Sequence, residues 1–260
     1  MEKYILLTGA STGIGAEMAG ILAGKGYNLI LVARSLDKLT ALKAALQDKS
    51  PIDVHVISKD LSVAGNAEKL YTEINSRGLE VNMHINNAGV GAYGEFLEIP
   101  LAQELEMIQL NVSSLVALTK LYAKEMELRG GGKILNIASL LSFLPFPYYS
   151  VYSATKAFVL TFSETIAAEL EETGVEVTAL CPGPVDTPFT TEEMMRTNAY
   201  ATNKPISPVV VAEAGVKLLL HGKGKKVVGF NNWFLSNLPR ITPDRIMMKI
   251  KKKLASKATS

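Results

Sequence analysis

Cysteine is almost missing from this chain. Cys181 stands alone among 260 residues, which excludes an intramolecular disulfide and a cysteine metal cage. That usage fits a reducing compartment, and the expected localisation is cytoplasmic. Histidine is nearly as scarce: His55, His84 and His221 are scattered without metal-ligand spacing, so no metal site is expected. Charged residues are only 20% of the chain and hydrophobic residues 48%, a balance that excludes intrinsic disorder and low-complexity chains. Long hydrophobic runs are missing too. The apolar run after Met1-Glu2-Lys3 ends by Leu7, too short for a signal peptide. One uncharged stretch, 134–155, is long enough to span a bilayer. Asn136, several serines, Pro145 and Pro147 mark it instead as strand, loop and helix start.

The length can bury a core without staples, and no proline-rich or charged linker divides it, so one domain is expected. Charge is uneven along it. Residues 240–260 hold seven basic side chains (Arg240, Arg245, Lys249, Lys251, Lys252, Lys253 and Lys257) against Asp244, while the remainder is mildly acidic. Nucleic-acid binding by the body is not indicated.

Short apolar runs rich in Val, Ile and Leu read as strands at 4–8, 28–32, 52–58, 81–85, 133–138, 175–180 and 226–230. They mostly lack polar alternation, as strands buried on both faces do. Helical patterns fall between them at 14–25, 36–47, 65–77, 102–129, 151–172 and 208–221. Ser35 precedes one helix start, and Ser207-Pro208 puts a cap residue before a first-position proline. The alternation predicts an α/β fold, a doubly wound parallel sheet of about seven strands with helices on both faces.

The first strand runs into Thr8-Gly9-Ala10-Ser11-Thr12-Gly13-Ile14-Gly15 and then a helix. Glycines allow a tight turn and close approach to a pyrophosphate, and the helix N-terminus offers N–H groups to the anion. The spacing departs from G-x-G-x-x-G. The second strand ends Ala33-Arg34. No carboxylate stands there to repel a 2′-phosphate, and Arg34 can bond one, so NADP(H) is favoured over NAD(H).

Further segments arrive in order: Asp60-Leu61, Asn86-Asn87-Ala88-Gly89, Asn111, Ser139, Tyr152-Ser153-Ala154-Thr155-Lys156 and Pro182-Gly183 with Thr187. Taken singly, each has an ordinary structural reading. Together, over about residues 3–221, the set resembles the short, single-domain branch of the short-chain dehydrogenase/reductase family, of Rossmann type. Lys156 lies one helical turn from Tyr152, where its charge would favour the phenolate. The resemblance implies that Tyr152 is general acid and base. Lys156 would also bind the nicotinamide ribose, Ser139 would hydrogen-bond the substrate oxygen, and Asn111 would hold a relay water. It likewise implies cofactor contacts from Gly9, Ser11, Thr12, Gly13, Ile14 and Gly15 to the pyrophosphate side. Arg34 would take the 2′-phosphate, and Asp60 and Leu61 would border adenine. Asn87, Ala88 and Gly89 would line the ribose side. Pro182, Gly183, Val185 and Thr187 would wrap the nicotinamide.

The expected activity is interconversion of a carbonyl and a secondary alcohol. The alternative is a non-catalytic dinucleotide-binding regulatory or scaffold protein; a nucleotide-sugar epimerase is disfavoured by the short chain and the glycine spacing. Between Ser139 and Tyr152 the sequence is apolar and aromatic, so a small apolar substrate is expected. Residues from about 186 to 207 resemble a substrate lid. The resemblance also implies a homodimer or homotetramer.

Residues 1–230 form the expected catalytic domain and 231–260 an apolar, basic extension. In that extension Thr242-Pro243-Asp244 reads as N-cap, first-turn proline and first-turn acid. Ile246, Ile250 and Leu254, with Met247, make its apolar face. Such a helix could cover its own domain, pack on another subunit, dock an acidic carrier protein such as an acyl carrier, or rest peripherally on a membrane.

Overall fold

Alternate residues of each central strand face opposite helical layers, which is why the strand sequences read as unbroken apolar runs. The computed structural model describes residues 3–240 and 242–256. Met1, Glu2 and Lys257 lie outside them, as do the side chains of Arg240 and Asp244. In β1 (Lys3–Thr8) and β2 (Asn28–Ala33), Ile5, Leu7, Leu29 and Leu31 enter one core layer. There they meet Met18 and Leu22 of α1 (Gly13–Gly24), Leu39 and Leu46 of α2 (Leu36–Lys49), and Val211 and Val216 of α9 (Pro208–His221). Tyr4, Leu6, Ile30 and Val32 enter the other layer. They meet Leu70 and Ile74 of α3 (Asn66–Ser76) and Leu118 and Tyr122 of α5 (Leu115–Leu128).

The sheet is completed by β3 (Val54–Ser58), β4 (Glu80–Asn86), β5 (Gly132–Ile137), β6 (Val175–Cys181) and β7 (Gly224–Val227). Its order is β3-β2-β1-β4-β5-β6-β7, and every neighbouring pair is parallel. The order reverses between β1 and β4, so the loops at their carboxyl ends part there and leave a crevice.

Three boundaries differ from the sequence expectation. The single helix expected over 102–129 is α4 (Leu101–Ile108), a π-helical turn (Gln109–Ser114) and then α5. The last strand lies earlier than 226–230, because Gly229, at φ 89°, breaks it and Phe230 opens α10 (Phe230–Asn237). An edge strand tolerates the exposed Lys225 and Lys226 that hid β7 from an apolar search. Ser207 sits at the cap of α9 but makes no side-chain bond there.

The catalytic-region helix is α6 (Ser150–Glu169). Between β6 and α9, α7 (Glu192–Met195) and α8 (Asn198–Thr202) form an excursion closed at its base. There the Ile206 N–H donates to Pro184 O at 2.9 Å and the Asp186 N–H to Ile206 O at 3.1 Å.

The terminal helix α11 (Asp244–Ala255) starts one residue later than expected, with Pro243 at the cap. Its buried line is Met247, Lys251 and Ala255, while Ile246 and Ile250 are exposed. Of the expected apolar face, Met247 is buried and Leu254 half-buried, so the buried side is only partly turned, towards Lys251. Anchors at the helix end set the rotation: Tyr93 donates to Ala255 O at 2.8 Å, and Asn198 Nδ2 to Lys253 O at 3.0 Å. Met247 joins Leu140, Leu144, Leu235 and Leu238 in a small cluster.

Candidate active site

The glycine loop is held from below by the turn that follows β4. Asn87 Nδ2 donates to the carbonyls of Thr8 at 3.1 Å and Gly9 at 2.9 Å. Thr8 Oγ1 accepts the N–H groups of Asn87 and Ala88, both at 3.1 Å. Gly9 and Gly13 have φ of 64° and 56°, a region that favours glycine. A Cβ on Gly9 would lie 2.8 Å from Ala88 Cα, and one on Gly15 would strike the Gly9 carbonyl. Nothing bulkier fits in this cradle.

A cavity of about 1030 Å³ opens over the loop and extends to the C-terminal helices. Gly9, Ser11, Thr12, Gly13, Ile14, Arg34, Asp60, Leu61, Asn87, Ala88 and Gly89 line its first half. Ser139, Tyr152, Lys156, Pro182, Gly183, Val185 and Thr187 line the middle. Two expected residues do not reach the wall. Gly15 is buried behind the loop and lets α1 approach Gly9. Asn111, 1% exposed, lies behind Val90. Its Oδ1 accepts the Val90 N–H at 3.0 Å, and its Nδ2 donates to Val90 O at 2.9 Å and Thr155 Oγ1 at 3.2 Å. Those bonds tie the amide of Asn111 to the Val90 backbone and to α6.

Arg34 is exposed at the far end, its guanidinium 3.9 Å from Glu106, a weak surface pair that a stronger anion displaces at little cost. Lys38 and Lys59 flank it on the cavity wall. Burial alone would raise the Asp60 carboxyl. Two hydrogen bonds from Ser62 and the Arg34 charge outweigh that and hold it below its ordinary value. The glycine cradle at a helix N-terminus and the cavity volume fit a dinucleotide.

Tyr152 and Lys156 project from the first turns of α6. The chain enters that helix through Tyr148, at φ 66°, whose carbonyl accepts the Gly94 N–H at 2.9 Å. A left-handed tyrosine costs about 1–3 kcal/mol and persists because the surroundings hold it. Burial pushes the Tyr152 phenol up to about 12, with the Ser139 hydroxyl pulling the other way. Lys156 is buried, and desolvation lowers its ammonium to about 8 while Cys181 opposes the shift. Its Nζ lies 6.0 Å from the Tyr152 ring centroid and donates to Ile137 O at 2.8 Å. The expected lowering of the tyrosine by the lysine is therefore not what this arrangement produces; desolvation prevails.

Ser139 lies two residues past the end of β5, at the cap of the turn Leu140–Ser142. Its Oγ accepts the Leu141 N–H at 3.1 Å, its N–H donates to Ser142 Oγ at 3.3 Å, and Ser142 donates onward to Lys156 O at 2.7 Å. Serine and lysine are thus held in one hydrogen-bonded unit. Beyond them the cavity is walled by Leu140, Leu144, Phe146, Phe189, Phe234, Met247, Ile250 and Lys251. Phe143 packs behind that wall. The wall contribution from α10 and α11 was not legible from the sequence, because periodicity does not say which way a helix turns.

Comparison with known proteins agrees with this geometry. The chain matches the family model described as short chain dehydrogenase over residues 3–198. It is 33% identical over 194 residues to 17-beta-hydroxysteroid dehydrogenase type 3 of Mus musculus, covering 73% of this chain and 62% of that protein. Very-long-chain 3-oxoacyl-CoA reductase of Macaca fascicularis is 30% identical over 258 residues, 97% of this chain and 80% of that protein. Among solved structures, a short-chain dehydrogenase from Sphingobium yanoikuyae in complex with NADPH superposes with a TM-score of 0.80. It is 27% identical and covers 94% of this chain and 99% of that one. A sheet that reverses at β1 and β4, a glycine cradle at that reversal, and a serine, tyrosine and lysine facing one cavity accompany that match, and the chain belongs to the short-chain dehydrogenase/reductase family.

Proposed function

We propose that this oxidoreductase uses NADP(H) to interconvert a ketone and a secondary alcohol on a bulky apolar molecule. One observation carries the reading: Ser139, Tyr152 and Lys156 line a single cavity together with the glycine loop and the apolar side chains Leu144, Phe189, Phe234 and Met247. The reduced nicotinamide, when bound, supplies the hydride. The protein supplies the rest. Ser139 Oγ faces the position of the reacting oxygen and donates to it. Tyr152 Oη, protonated far above neutral pH, delivers the proton to that oxygen. Lys156, charged below about pH 8, contributes a positive field beside the tyrosine and a donor to the ribose. The aromatic rings of Tyr149 and Phe189, 6.4 Å and 5.6 Å from the Tyr152 ring, keep water from its flanks.

Size and polarity of the substrate follow from the far wall. The relatives' names describe a hydroxysteroid and a very-long-chain 3-oxoacyl-CoA, and the apolar wall here suits a carbonyl on a body of that kind. Purified protein is given NADPH with a steroidal ketone, a long-chain 3-oxoacyl thioester and a short water-soluble ketone, and nicotinamide absorbance is followed. A higher kcat/KM for the bulky substrates supports the reading. Turnover of none of them by protein that binds NADPH would overturn it in favour of a non-catalytic dinucleotide-binding protein.

A further inference from the structure

Four large apolar residues line the cavity and are also exposed, so they mark its rim: Phe189, Phe230, Phe234 and Ile250. Phe230 is 77% exposed and stacks on Trp233 at 5.9 Å between ring centroids. Trp233, Ile246 and Met248 are exposed beside them in sequence. Singly exposed apolar residues need no explanation, but a set of this size gathered on α10 and α11 does. The same helix α11 presents Arg245, Lys249, Lys252 and Lys253 to solvent. Ile246 and Ile250 point outward because the inner line is taken by Met247, Lys251 and Ala255.

We propose that this rim docks on an anionic lipid surface and that the cavity draws its apolar substrate from there. The delivery half rests on the proposed reaction; the docking half does not. Charge decides the occupant. A second copy meeting this face across a two-fold axis would bring the α11 cations against themselves. An anionic bilayer accommodates both sets: cations at the headgroups, and the aromatic and isoleucine side chains at the acyl boundary. Among the described residues no helix is long and apolar enough to cross a membrane, so the contact is one of surface docking.

Trp233 is the chain's single tryptophan, so its fluorescence reports on this patch alone. The full chain is mixed with vesicles of phosphatidylcholine or of phosphatidylcholine and phosphatidylglycerol. The expected result is a blue shift and co-sedimentation with the anionic vesicles, reversed by high salt. In Lys249→Glu/Lys252→Glu/Lys253→Glu, partitioning falls about a hundredfold, while the thermal midpoint with NADPH and turnover of a water-soluble ketone stay unchanged. Three outcomes would overturn the docking: no binding to anionic vesicles by folded, NADPH-binding protein; equal binding to neutral vesicles or by the triple variant; or a lipid-free dimer in which Trp233 is already blue-shifted. Vesicle binding without ketone turnover would leave the docking standing and sink the reaction, so the two fail separately.

Discussion

Lys156 donates its Nζ hydrogen bond to the carbonyl of Ile137 at 2.8 Å, which ties the catalytic helix to the last residue of β5. The ammonium is thereby fixed 6.0 Å from the Tyr152 ring centroid, while burial, opposed only by the Ser139 hydrogen bond, sets the phenol. The tyrosine remains an acid with a value of about 12. Tyr152→Phe therefore removes the proton donor and little else. We expect kcat for ketone reduction to fall by about two to four orders of magnitude, with NADPH affinity within about twofold of wild type by calorimetry. Wild-type turnover in the variant would contradict the role.

The lysine sets the pH dependence. Its ammonium loses a proton near pH 8, so kcat/KM for reduction should be level through neutrality and decline above about 8. The free-enzyme profile is the correct readout, since kcat/KM reports groups in the unliganded protein. A profile flat to pH 10 would show that the lysine charge is not needed.

Arg34 is exposed and weakly paired with Glu106 at 3.9 Å. Arg34→Ala should weaken NADPH by about tenfold to a hundredfold and leave NADH nearly unchanged, measured by thermal shift at matched concentrations. Equal losses for the two cofactors would remove Arg34 as the phosphate contact.

Gly15 and Gly20 share α1 and should respond oppositely to alanine. A Cβ on Gly15 meets the Gly9 carbonyl and the Asn87 side chain, whereas one on Gly20 meets nothing within 4 Å. Gly15→Ala should cost at least about 1–3 kcal/mol through overpacking. Gly20→Ala should add about 0.5–1 kcal/mol through helix propensity. Urea midpoints at constant slope separate the two.

His84 is fully buried at the head of a polar chain across the sheet. Its Nε2 lies 2.8 Å from Asn86 Oδ1; Asn86 Nδ2 donates to Asn136 Oδ1 at 2.9 Å, and Asn136 Nδ2 to Ser163 Oγ at 2.9 Å. Burial drops the imidazole from 6.5 to about 4, so the unfolded chain takes the proton first. The native state keeps its full advantage above about pH 6.5 and loses about 3 kcal/mol of it as pH falls towards 4. His84→Gln, which keeps an N–H donor, should flatten that part of the stability profile; an unchanged slope would assign the acid sensitivity elsewhere.

The parallel sheet, its helices and the Ser139, Tyr152 and Lys156 set were legible along the chain. Strand burial on both faces writes itself as apolar runs, and residues one helical turn apart meet without help from the rest of the fold. Three matters were not legible. Asn111 and Gly15 are the expected residue types at the expected spacing, yet they stand behind the cavity wall, with Val90 and Gly9 in front of them. The phenol of Tyr152 is raised rather than lowered, because desolvation depends on Tyr149, Phe189 and the cavity wall, none of which a Tyr-x-x-x-Lys spacing describes. The rotation of α11 follows from Tyr93 and Asn198, residues distant in sequence that grip its last turn. A periodic pattern names the faces of a helix, but long-range contacts choose which face is buried, and here they put Lys251 inward and leave Ile246 and Ile250 exposed, Ile250 at the cavity mouth.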